Sequence, residues 1–265
     1  MTASGFAPAV AIFADLTIGG TATGYSAAVT GSGTTYTVTL SGGGGGTVSL
    51  LLKSGSVADA ATNSGPASNT AATTITVDRT APAVSSFAPT TATPTNNNTI
   101  AYSLVFDEAV TGLGAGDFAI SGTASGYSAA VSGSGTSYTI TLSGGGDGTV
   151  ILALDAGGVS DAAGNTGPSS GSTASTVTVD RTAPAVSSFA PTTSTPTNGT
   201  SIAYSLVFSE AVTGLVAGDI SLSGTSHAST AYSVAVSGSG TTYTVTLTRV
   251  APADGTVVAT LGANA

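Results

Sequence analysis

The chain repeats itself at a spacing of 102 residues, and that repetition constrains its fold more than any other feature. The stretch Thr76–Thr91 (TVDRTAPAVSSFAPTT) recurs letter for letter at Thr178–Thr193. Gly24–Val29 (GYSAAV) returns as Gly126–Val131, and a looser third copy reads Ala231–Val236 (AYSVAV), displaced by a short insertion around Ser226–Thr230. A period near 100 residues is too long for a solenoid unit and suits one small independent domain. The expected division is 1–78, a copy without its first strands; 79–180, a complete copy; and 181–265, a copy without its last strand.

Composition narrows the kind of array. Only 6% of residues are charged and 41% are hydrophobic, so the chain carries enough apolar surface to fold rather than stay disordered. It contains no Cys, so each copy must build its core from side chains alone. The formal charge of −9, from thirteen acids against four bases, argues against nucleic acid and against an anionic membrane. No apolar run approaches the ~18 residues needed to cross a bilayer. Phe6–Ile18 is fairly apolar, but Asp15 interrupts it and no basic segment precedes it, so a signal peptide is not expected there.

Alternation places the strands of the complete copy. Ile100, Tyr102, Leu104 and Phe106 occupy every second position and so share one face. The same period appears in Tyr138-Ile140-Leu142 (each two apart), Val150-Leu152-Leu154 and Val177-Val179, with shorter strands expected at Val84–Phe87, Asp117–Ser121 and Tyr127–Val131. Thr and Ser fill the intervening positions, where a branched Cβ favours extended backbone. Gly-rich turns such as Gly133-Ser134-Gly135 punctuate the runs. About seven short strands in about 100 residues predict an all-β, immunoglobulin-like β-sandwich for each copy.

The residues also resemble a known family. The Val-Asp-Arg-Thr-Ala-Pro joint, Val105–Gly112 (VFDEAVTG), Gly116-Asp117-Phe118 and Ser160–Asn165 (SDAAGN) are similar to the bacterial immunoglobulin-like (Big-type) repeats of large extracellular adhesin and stalk proteins. The resemblance covers all three copies. It implies a spacer or adhesive fibre on a bacterial surface, and it supplies no ligand.

The ends of the array do not close. Asp15 aligns with Asp117, so the first copy starts after the positions of two strands, and the third copy stops just past Val257–Leu261, short of the counterpart of Ser175–Val179. An open sandwich exposes core and sheet edge. Either the chain is an excerpt of a longer array, or neighbouring molecules supply the missing strands head to tail. The excerpt reading needs no new mechanism, whereas strand exchange must also satisfy register.

The acids are the candidates for chemistry. Asp78 and Asp180 sit in the joints, Glu108 and Glu210 follow the second strand, and Asp117 and Asp219 precede the third, as does Asp15. Asp59 and Asp161 open matching loops with Asn63 and Asn165. Calcium is held by six to eight oxygens gathered from loops, so a joint Asp, Glu108 and Asp117 are expected to converge on a structural calcium site. Against this, Asp and Asn in turns often bond their own backbone, and neither an EF-hand nor a Gly-rich calcium repeat is present.

An enzyme is not expected. His227 is the only His, lies in the insertion of one copy, and has no counterpart in the other two. Adjacent Asp107 and Glu108 point to opposite faces of a strand, and Asp107 is replaced by Ser209 in the next copy. A Lys–Asn crosslink at Lys53 is disfavoured, because the counterpart is Asp155 and Lys53 is the only Lys. Tyr25, Tyr127 and Tyr232 would stack on sugars if exposed, but their alternation with Ala27 and Val29, or Ala129 and Val131, sends them towards the core. The expected role is a stalk or fibre module of an extracellular bacterial surface protein, its partners being neighbouring repeats, copies of itself, or an unknown surface or glycan ligand. A virion fibre or decoration protein, a strand-donation filament and a carbohydrate-binding module are the alternatives.

Overall fold

The computed structural model describes residues 13–226, 228–252 and 254–263. The chain divides into two compact units, Met1–Arg181 and Thr182–Ala265. The first unit holds the first two copies and the second holds the third. His227 lies outside the described residues.

The middle copy is a sandwich whose two sheets follow the alternation in its sequence. In one sheet, the strand Thr99–Val110 pairs antiparallel with Val84–Pro89 on one side and with the latter half of Ser128–Ser143 on the other. In the other, Gly148–Leu154 runs between Phe118–Ser121 and Ser172–Thr173, and its first residues pair with Val177–Val179. Ile100, Tyr102, Leu104 and Phe106 point into the space between the sheets and are at most 2% exposed. Ile140, Leu142, Val150, Leu152 and Leu154 close on them. Each side chain fully buried in this way contributes about 1.5–3 kcal/mol, so this face is what holds the copy together.

Two strands expected as separate, Tyr127–Val131 and Tyr138–Leu142, form one continuous element, Ser128–Ser143. In the first copy the corresponding residues form a hairpin of Tyr25–Ser32 and Thr35–Gly42. The turn depends on glycine. Gly31, Gly133 and Gly238 take φ of 120°, 111° and 120°, and a Cβ at each would collide with the carbonyl four residues on.

The first copy contains the second sheet and this hairpin. Gly46–Leu52 pairs with Leu16–Gly19, Thr70–Ala71 and Ile75–Val77. Among the described residues, no strand lies beside Thr35–Gly42 where the middle copy has Thr99–Val110. The consequence is visible in burial. Leu142, Leu152 and Leu154 are at most 1% exposed, while their counterparts Leu40, Leu50 and Leu52 are half-buried.

The third copy keeps the first sheet, with Ser201–Val212 between Val186–Pro191 and Tyr232–Arg249. Facing it, the described residues provide only Ile220–Ser223 paired with Val258–Leu261. Leu206, Val245 and Leu247 are fully buried, but Ile202, Tyr204 and Phe208 are only partly so. The inserted residues form a one-turn helix, Ala228–Ala231, against the strands on either side of it.

Candidate functional site

The acidic residues singled out in the sequence do not gather as one set. Asp78, Glu108 and Asp161 do meet, each offering a carboxylate oxygen within 4.8 Å of the others. Asp78 follows the last strand of the first copy, Ile75–Val77. Glu108 lies where the register of Thr99–Val110 slips against Ser128–Ser143. Asp161 is carried to it by reciprocal backbone bonds, Thr111 N–H to the Ser160 carbonyl at 2.8 Å and Ser160 N–H to the Thr111 carbonyl at 3.0 Å. The trio therefore forms at the joint between the first two copies.

Its three carboxylates are not equivalent. Asp161 accepts at Oδ1 from the N–H groups of Ala163 (2.9 Å) and Asn165 (2.8 Å), and at Oδ2 from Asn165 Nδ2 (2.7 Å). The Asn165 side chain foremost holds its carboxyl below the usual carboxylate range, against the opposing effect of burial. Asp78 accepts from Thr80 N–H at 2.9 Å, so one of its oxygens closes the linker turn. Glu108 is raised above its ordinary value by loss of water, and then by the negative charges of Asp161, Asp78 and Asp107. Three oxygens crowded in this way repel one another, and a proton on Glu108 or a bound cation would relieve it.

The other candidates lie elsewhere. Asp117 Oδ2 accepts from Gly114 N–H at 2.7 Å and Asp219 Oδ2 from Val216 N–H at 2.8 Å, so both side chains fasten the 3-10 turns before their strands. The expected convergence of Glu108 with Asp117 is not what the structure has: Asp161 stands in the trio instead. Glu210 lines a cavity in the second unit with Ala183, Pro184, Phe208 and Leu215. Asp180 donates its N–H to the Thr95 carbonyl at 2.9 Å in the first unit. Asp59 repeats the Asp161 loop, with Asn63 Nδ2 donating to Oδ2 at 2.9 Å, but the described part of its copy has no counterpart of Glu108.

From sequence, the joint Asp-Arg pair reads as a linker-positioning element whose Arg pairs with a nearby carboxylate; the structure gives the partners. Arg181 donates from Nε and one terminal nitrogen to the Asn97 carbonyl (3.2 and 2.8 Å), and from the other to the Gly145 carbonyl (3.2 Å) and Asp147 Oδ1 (3.1 Å). It also donates to the Tyr127 hydroxyl at 3.3 Å, which in turn donates to the Gly146 carbonyl at 3.0 Å. The Tyr127 ring lies directly over Gly145, so that face is closed to a stacking sugar. Arg79, the preceding joint arginine, donates to the Gly42 carbonyl at 3.1 Å, but Gly45 stands where Asp147 would be. The letter-for-letter repeat of the joint was the signal for a shared role; the partner loops differ and gave none.

The linker is fastened on both sides. Ala83 N–H donates to Asp107 Oδ1 at 2.7 Å, and Asp107 N–H to the Ala83 carbonyl at 3.0 Å. Ser209 does the same for Ala185, accepting at Oγ at 2.9 Å, so the Asp-to-Ser exchange keeps the contact. Residues 78–179 match the family model of the bacterial Ig-like domain. The middle copy is a bacterial Ig-like domain. Its joint and parts of its strand pattern recur on either side, in residues outside the match. A search of curated proteins finds no match to the chain. Ig-like domains of this family are structural, typically without catalysis, and no helix among the described residues is long and apolar enough to cross a membrane.

Proposed function

We propose that the chain is a non-enzymatic spacer, a stretch of stalk or fibre in an extracellular bacterial surface protein. The observation that carries this reading is the doubly fastened linker between the first two copies. Arg79 ties its start to the hairpin of the first Ig-like copy, and Ala83 with Asp107 ties its end to the second. Pro82 adds rigidity, since its ring fixes φ and restricts the residue before it. A joint held at both ends transmits force and resists bending, which is what a stalk requires. On this reading the Asp78, Glu108 and Asp161 trio is a calcium site that stiffens the same joint.

The test is whether the first two copies tumble as one body. Residual dipolar couplings from both copies should fit a single alignment tensor, and Asp107→Ala should split it into two. Two tensors in the unaltered chain would sink the reading.

A further inference from the structure

The exit of the middle copy is organised around Arg181, which holds two loops at once. Its fork reaches the Asn97 carbonyl on one side, and the Gly145 carbonyl and Asp147 Oδ1 on the other. Its own N–H adds a bond to Asp147 Oδ2 at 3.0 Å. Asn97 lies just before Thr99–Val110, a strand of the first sheet, and Asp147 directly precedes Gly148–Leu154, a strand of the second. One residue therefore ties the exit linker to both layers of the sandwich.

The strand that leads to this point is short. Val177–Val179 pairs antiparallel with residues 148–150, and on its other side Val179 meets Thr95 in a parallel bridge. Thr95 N–H donates to the Thr178 carbonyl at 3.0 Å, Asp180 N–H to the Thr95 carbonyl at 2.9 Å, and Thr178 N–H to Thr93 Oγ1 at 2.9 Å. These bonds cross the strand, so a pull along it loads them together rather than one after another. Three residues still make few of them. The bonds of Arg181 come earlier in the path of the tension, and a charged donor makes each roughly twice as strong as a neutral one.

We propose that Arg181 is a mechanical latch. Tension on the exit linker passes through it into both sheets, and the middle copy stays folded under a pull that would otherwise strip Val177–Val179 from its neighbours. Two of its acceptors are backbone carbonyls, which cannot rotate away as side chains can. The Tyr127 hydroxyl accepts from Arg181 at 3.3 Å and donates to the Gly146 carbonyl at 3.0 Å, so it holds the same loop against the latch. The latch rests on the stalk reading, since only a chain under tension has a use for it. It goes further by naming the residue through which the tension is carried.

Because the sequence has no Cys, force can be applied at chosen points of the full-length chain. Thiol-coupled DNA handles at Thr80→Cys and Ala183→Cys pull the middle copy through its exit linker. Handles at Thr80→Cys and Ser125→Cys pull it from the same end without loading Arg181, since Ser125 is exposed and its carbonyl accepts from Gly146 N–H at 3.0 Å. At constant force in optical tweezers, Arg181→Ala should shorten the folded lifetime about tenfold with the first pair of handles. With the second pair the shortening should be several-fold smaller. Arg181→Lys keeps the charge but loses the fork, so it should also shorten the first lifetime; it carries the same decision if Arg181→Ala does not fold. A first lifetime that neither substitution changes would overturn the proposal. Equal shortening with both pairs of handles would overturn it too, by making Arg181 an ordinary stabilising contact. The dipolar couplings report on the Arg79 and Asp107 fastenings of the other joint, so the stalk reading and the latch can fail separately.

Discussion

The Tyr138 hydroxyl donates to the Val110 carbonyl at 2.8 Å, fastening the end of one core strand to the middle of its neighbour. Tyr243 and Val212 repeat this contact in the third copy at the same distance. The ring also meets a phenylalanine edge to face, Phe106 for Tyr138 and Phe208 for Tyr243, with centroids 6.1 Å apart in both. Tyr36 is the same residue of the repeat and is half-buried, but the counterpart of Val110 lies outside the described residues.

Removing the hydroxyl therefore has different effects in the three copies. Tyr138→Phe and Tyr243→Phe each leave a carbonyl near the core without its donor, at a cost of about 1–3 kcal/mol. Among the described residues Tyr36→Phe breaks no such bond, and on those contacts it should change stability by less than about 0.5 kcal/mol. Urea denaturation of the three variants checks the order. A loss at Tyr36 equal to that at Tyr138 would mean that its hydroxyl bonds an acceptor outside the described residues.

A second tyrosine behaves oppositely. The Tyr102 hydroxyl is buried without a hydrogen-bond partner, and burial foremost, with Tyr127 nearby, pushes its pKa up to about 12. An unpaired buried hydroxyl is a standing cost, so Tyr102→Phe should leave stability unchanged or raise it by up to about 1–3 kcal/mol. Tyr204, its counterpart, donates to the Val257 carbonyl at 3.4 Å and should gain nothing from the same change. Thermal melts of both variants decide it, with destabilisation of Tyr102→Phe as the contrary result.

These tyrosines mark how far the sequence could be read. Alternation alone placed Ile100, Tyr102, Leu104 and Phe106 on one buried face, because period two leaves a strand only two faces to choose between. The repeat identified Asp78, Glu108 and Asp161 as acids at fixed stations of the copy. It could not tell that Asp161 and not Asp117 joins Glu108, since that depends on a bridge between Thr111 and Ser160, 49 residues apart. The short strands Val159–Ser160, Thr166–Gly167 and Ser172–Thr173 were equally hidden: a two-residue strand has no period to detect. Nor does any local pattern announce that Arg181 reaches Asn97, which lies 84 residues away.

The loop carboxylates make acid stability predictable. Asp59 is held below the usual range, first by the Asn63 side chain, so its folded pKa is lower than its unfolded one. Its stabilisation is complete above the unfolded value of about 3.9 and is lost as pH falls through the lowered folded value. Asn63→Ala should therefore destabilise the first copy at pH 6 and have little effect at pH 2. A penalty that is the same at both pH values would refute the charge-assisted origin of the contact.

Glu108 carries the opposite sign, and this separates calcium from simple crowding. Its folded pKa is raised, so without a cation its ionised form opposes folding as pH climbs past the ordinary Glu range of about 4.3. Glu108→Gln should then raise the melting temperature at pH 7 in chelator, by removing a charge that Asp161, Asp78 and Asp107 repel. If calcium occupies the trio, added calcium should stabilise the unaltered chain in proportion to RT ln(1 + [L]/Kd) and leave Glu108→Gln almost unmoved. Asp117→Asn should keep the calcium response, since that carboxylate is spent on Gly114 N–H. A melting temperature indifferent to calcium in the unaltered chain would reduce the trio to a cluster of repelling charges, and Glu108→Gln would remain stabilising on that ground alone.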